Sequence, residues 1–170
     1  MNINIFFISI FAGLLSIYFF FKPIKIEEQV FVDIPLFEMN KFTLYELDES
    51  GLTTLMIGKN TTRYSDRYVV SDINFTDDSK EYLVNIVANN GIYKNKILKL
   101  KDHIYFSRED GLTFQTEQAE YDQNSNIIKT DGKYLSSMGN STLSGDSLVY
   151  YGLEKKIKSK NIFAIYQLGE

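Results

Sequence analysis

Between Leu98 and Asp122 the chain alternates apolar and polar side chains in the manner of extended backbone. Leu98, Leu100, Ile104 and Phe106 sit at even spacings, so a strand points all four to one face. Arg108-Glu109-Asp110-Gly111 then supplies a turn, with Gly111 free to take positive φ. Phe114 and Thr116 resume the alternation, and Ala119 and Tyr121 continue it at odd spacing, which predicts a bulge or bend after Thr116. The figure repeats. Ile128, Thr130, Tyr134 and Ser136 return thirty residues on, and Ile157, Ser159, Phe163 and Ile165 a further twenty-nine on. Leu143, Leu148 and Tyr150 likewise repeat Phe114, Ala119 and Tyr121. A period near thirty residues, built of strands, predicts a stacked β architecture.

From Phe42 to the end, turn signals punctuate the alternation at Asp48-Glu49-Ser50-Gly51, Ile57-Gly58-Lys59-Asn60, Asp77-Asp78, Asn89-Asn90-Gly91, Asn124-Ser125-Asn126 and Asp131-Gly132. The intervals suit short antiparallel strands, and no capped 3.6-residue stripe interrupts them, so residues 41–170 read as all-β. The expected inward set is Leu98, Leu100, Ile104, Phe106, Phe114, Ala119, Ile128, Leu143, Leu148, Ile157, Phe163 and Ile165. The small side chains of Ala119, Thr130 and Ser159 would leave width beside them. Such a set makes either a solid core or an apolar groove open along one side, and alternation does not separate the two. The chain finishes in IFAIYQLGE, an apolar edge with little charge, and Asn161, Ile162, Phe163, Ala164, Ile165 and Tyr166 are either a covered strand or a docking site.

The amino terminus belongs to a different solvent. Ile3–Phe21 carries no charge, and a helix of that length approaches the hydrocarbon thickness of a bilayer. It lacks the basic leader and small-residue cleavage site of a signal peptide, which makes it an uncleaved single-pass anchor. Pro23 stops it. The expected organisation is a short cytoplasmic tip at 1–2, the span at 3–21, a juxtamembrane linker at 22–40 and the β domain at 41–170. Lys22 and Lys25 follow the span, and the positive-inside rule taken alone would place the domain in the cytoplasm.

Composition narrows the chemistry. Two prolines, 12 Tyr and 13 Phe in 170 residues favour an ordered strand-rich domain. A net charge of −4 with no basic cluster beyond the first segment argues against nucleic acid as a partner. Cysteine is absent, and the single histidine, His103, falls on the polar face without metal-ligating or nucleophilic company. No phosphate-binding loop occurs either. Neither an enzyme, a cofactor nor a metal is expected. Asn60, Asn74 and Asn140 head N-x-[ST] triplets, and Asp72 before Asn74 extends that triplet toward the bacterial glycosylation acceptor.

Four patterns together carry a family resemblance. They are AxxGxYxxxILxL over Ala88, Gly91, Tyr93, Ile97, Leu98 and Leu100; LxLxxxIxFxxxDG from Leu98 to Gly111; TEQAEYD at 116–122; and LSGDSLVYY at 143–151. In this order and spacing the chain resembles LptC, the bitopic component of the lipopolysaccharide export bridge. The resemblance implies a twisted β-jellyroll, open along one side, that holds acyl chains and passes them onward without catalysis. It implies a periplasmic domain, against the bias of Lys22 and Lys25. It also implies three partners: lipopolysaccharide, an inner-membrane ABC transporter of LptB, LptF and LptG type, and a periplasmic LptA-like protein. A lipid-transfer subunit and a structural adaptor with a fully packed domain both remain open, and a groove distinguishes them.

Overall fold

A computed structural model describes residues 3–20, 33–49 and 51–167. The chain divides into two units, 1–31 and 32–170. In the first, helix α1 runs Ile3–Phe20, 18 residues of apolar and small side chains with no acid in its first turn and no base in its last. At 1.5 Å per residue it reaches about 27 Å. Side chains are described only for parts of α1, and over the described residues no helix is long and apolar enough to cross a membrane. Phe21, residues 1–2 and most of the expected linker, 22–32, lie outside the described residues.

The second unit is one antiparallel sheet of twelve strands. Six are long: β1 (Phe37–Asp48), β2 (Gly51–Arg63), β3 (Tyr68–Asp77), β4 (Val84–Lys94), β5 (Ile97–Arg108) and β6 (Leu112–Asp122). Six are short: β7 (Ile127–Thr130), β8 (Tyr134–Met138), β9 (Ser141–Gly145), β10 (Ser147–Tyr151), β11 (Lys156–Lys160) and β12 (Phe163–Ile165). The long strands pair in chain order. Then β6 divides: its Leu112–Thr116 half pairs with β8, and its Glu120–Asp122 half with β7. One branch continues through β9 to β12, the other through β10 to β11.

The short strands are long strands cut at a corner, and every pass of the chain turns that corner near its middle. Lys41, Asp72, Asp102, His103 and Asn161 hold φ between 51° and 64° there. Their spacing is the thirty-residue period read from the sequence. On the alternate passes the ladder is interrupted between Ile57 and Asn60 and between Val87 and Asn90. Polar side chains stitch the corner from pass to pass: Lys59 to Asp72, Asn90 to Asp102 and Asn161 to Asp146.

The corner is also where the core sits. Ile73, Ala88, Leu100 and Ile104 are buried in one cluster, with Met56, Phe75 and Ile86 packed on it from one side of the corner and Val70, Leu98 and Ala119 from the other. Both halves of the folded sheet therefore turn an apolar face to each other. At Gly91 an added Cβ would stand 2.5 Å from Ile73 Cδ1, so glycine lets the halves close together there.

Three expectations need correction. Ile57–Asn60 and Asn89–Gly91 are corners inside β2 and β4, not hairpin turns, because polar residues suit a bend that remains paired on both sides as well as a reversal. The sheet starts at Phe37, inside the stretch read as linker. Phe163 and Ile165 do not share the inward face with Leu143: β12 pairs Ala164 with Leu143, and Phe163 with Ser144. The corner in β5 spends two residues at positive φ, Asp102 and His103, whereas the last corner spends one, Asn161. That one-residue difference reverses every side chain beyond it. The bend expected after Thr116 is present, where β6 changes partners.

Candidate functional site

The inward faces of the two arms are read from the register. On the first arm one row runs through Leu44, Met56, Phe75, Ile86, Phe106, Phe114, Ser136, Leu143 and Ala164. On the second, Tyr93, Leu98, Tyr121, Ile128, Tyr150 and Ile157 line up, and nearer the corner Gly91, Leu100 and Ala119. Of the expected inward residues, Leu98, Leu100, Ile104, Phe106, Phe114, Ala119, Ile128, Leu143, Leu148 and Ile157 fall in these rows or beside them; Phe163 and Ile165 do not. Leu148 pairs with Thr130 and Ser159 on the second arm.

Burial along these faces is graded. Ala88 and Ile104 at the corner are 1% and 5% exposed, while Tyr93 and Ile128, farther along the second arm, are 36% and 41% exposed. Apolar side chains pointing between two arms yet half open to solvent describe a furrow closed at its base. Phe114 stacks on Tyr134 at 5.4 Å, and the Tyr134 hydroxyl meets Ser159 Oγ at 2.8 Å, tying the first arm to the second beside the corner. Near the free end of the first arm a cavity of about 400 Å³ is bordered by Glu46, Thr54, Phe75 and Asp77, so that part of the lip is acidic. Burial pushes the Asp77 carboxyl up, but Ser79 donates to it through both its hydroxyl and its amide, and these bonds, with the nearby Lys80 charge, together hold it below its ordinary value.

His103 lies on the corner, its Nδ1 3.3 Å from the Asn89 amide, while its backbone N–H donates to Glu117. No group of three metal-ligating side chains occurs among the described residues. Asn74 sits mid-strand in β3, its side-chain oxygen accepting from Asn85 at 2.7 Å. On the second arm's outer face Lys99 and Lys129 both donate to Glu120 at 3.0 Å, and this pair, Lys99 foremost, holds its carboxyl below the ordinary range.

Sequence reasoning missed the upstream half of the inward face, Leu44, Met56, Val70, Phe75 and Ile86. The alternation that places them is in the sequence, but the repeat is recognisable only where turns are short, after Leu98. The polar corner ladder was missed as well; its signal was the polar pairs Asn89-Asn90 and Asp102-His103 at about half the repeat, with Asp131 a full repeat beyond Asp102.

The profile of the family described as lipopolysaccharide-assembly, LptC-related, matches residues 5–161. No curated protein matches the sequence. Among solved structures the fold resembles that of LptH from Pseudomonas aeruginosa, described as the LptA homologous periplasmic component of the conserved lipopolysaccharide transport device. The TM-score is 0.51 at 11% identity, over 81% of this chain and 98% of that one.

Proposed function

This chain belongs to the lipopolysaccharide-assembly, LptC-related family, and on that premise we propose that it is a membrane-anchored lipid-transfer subunit. Its folded sheet receives lipopolysaccharide from an inner-membrane ABC transporter of LptB, LptF and LptG type and hands it to a periplasmic LptA-like protein. Helix α1 is the anchor, and the β domain stands in the periplasm. The observation that carries this reading is the burial gradient: inward apolar side chains are complete in their packing only at the corner. Acyl chains need an apolar trough and no hydrogen bonds, and each CH₂ buried contributes about 0.8 kcal/mol, so tight holding requires no reactive group. Directional movement then comes from the ATP-driven partner. The transporter meets the β1 end of the stack and the periplasmic partner the end formed by β11 and β12.

Photo-crosslinking residues at Phe106, Phe114, Ile128 and Leu148 test the furrow in cells. Each is expected to capture lipopolysaccharide, whereas Gln115 and Lys129, one residue out of phase and on the outer faces, are expected not to. Equal capture by both sets, or by neither, favours a structural adaptor without a lipid ligand.

A further inference from the structure

The last pass of the chain ends in two strands of opposite character, and this deepens the docking role just proposed. Among the described residues β11 pairs only with β10, and β12 only with β9, so both present unpaired backbone groups. Ile157 and Ser159 of β11 share the inward rows with Tyr150 and Leu148, which places Lys156, Lys158 and Lys160 together on the outer face. All three are exposed. No carboxylate lies within ion-pair distance of any of them among the described residues; Lys158 only overlies the Tyr151 ring, at 5.2 Å. The next lysine inward, Lys129, is already matched to Glu120. Across the corner, β12 carries no charge, and Phe163 and Ile165 are 66% and 56% exposed.

A row of lysines on an edge repels most strands while an uncharged apolar edge accepts them. We propose that β11 selects the partner and β12 binds it. The strand that docks here is a β-domain edge whose outer face carries carboxylates against Lys156, Lys158 and Lys160 and whose other half is apolar against Phe163 and Ile165. The lysines thereby set the register and exclude uncharged or basic edges, in addition to any affinity they contribute.

The full chain, held in detergent, and the organism's own LptA-like periplasmic protein supply the test. Lys156→Glu, Lys158→Glu and Lys160→Glu combined are expected to weaken binding about tenfold or more and to invert its dependence on salt, which then strengthens binding by screening repulsion, and the three Lys→Gln changes to fall between with little dependence on salt. Replacing the facing carboxylates of the partner by lysine is expected to restore binding to the charge-reversed chain. Unchanged affinity and salt slope in the reversed chain overturn the proposal while leaving docking intact. So does unchanged partner binding accompanied by new self-association, which makes the lysines guards of an edge and nothing more. Absence of any binding by the unaltered chain refutes the docking role itself. Crosslinking of lipopolysaccharide at Phe106 is expected to persist in the reversed chain, and its loss there assigns the defect to folding and overturns the reading of β11 as a surface selector.

Discussion

Single side chains at the corner carry unequal stakes. Gly132 N–H and Thr130 Oγ1 lie 3.3 Å apart, Thr130 and Thr116 hydroxyls 2.9 Å, and Thr116 Oγ1 and the Lys133 carbonyl 3.0 Å. Read in one direction, each donor finds the next acceptor. Both threonines are buried, so Thr116→Val keeps the shape and strands a hydroxyl and a carbonyl, at a cost of about 1–3 kcal/mol in urea unfolding. A value near zero would mean that water enters the corner. Glu120 lies at the other extreme. Its folded pKa lies below the ordinary 4.5, chiefly through the bond from Lys99 and then that from Lys129, so its stabilisation is complete above 4.5 and fades as pH falls through the folded value. Lys129 shifts the opposite way, raised by Glu120, and its share is complete below 10.5 and fades as pH rises beyond. Exposed pairs of this kind contribute roughly 0.2–1 kcal/mol. Glu120→Gln is therefore expected to lower the urea midpoint slightly at neutral pH and to leave it unchanged in strong acid; an equal drop at both would mean packing, not charge.

At the scale of the strand, the corner is a backbone device. His103 and Asp102 sit consecutively at φ 55° and 64°, a region that costs a residue with a Cβ roughly 1–2 kcal/mol and a β-branched one more. Histidine already bears that cost, so His103→Val is expected to destabilise by the further penalty of a β-branched side chain, about 1 kcal/mol, and His103→Gly to be neutral or slightly stabilising by thermal melting. Equal losses from both would assign His103 a packing role. The same device explains what the sequence could and could not disclose. Alternation gave Leu98, Leu100, Ile104 and Phe106 their common face because the four-residue step over the β5 corner is even. The last corner is one residue shorter, and nothing in Ser159-Lys160-Asn161-Ile162 announces this, since asparagine at positive φ is as common in a turn as in a bend. Hence Ile128 and Ile157 were legible and Phe163 and Ile165 were not. Their outward orientation still suits an edge. Ile165→Pro is expected to leave circular dichroism unchanged and to remove the periplasmic partner from a pull-down, whereas global unfolding would place β12 inside the stack.

For the whole molecule, the first question is which compartment holds the sheet. A periplasm-active reporter fused after Glu170 is expected to function and a cytoplasm-active one to stay silent; the reverse pattern refutes the anchored reading. A second property follows from the division at β6. Up to that strand each pass is one unbroken strand across the corner, whereas beyond it each pass is two short strands joined through one to three residues, 131–133, 146 and 161–162, that belong to neither. Such a sheet resembles a book bound firmly at one end with its last leaves creased along the spine. The bound end opens only as a unit, while the creased end lets each leaf breathe with less drag from its other half. Amide protons of β9 to β12 are then expected to exchange with deuterium orders of magnitude sooner than those of β3 to β5, and independently in the two branches. The terminus proposed to accept a neighbour is thus also the one with slack to accommodate it.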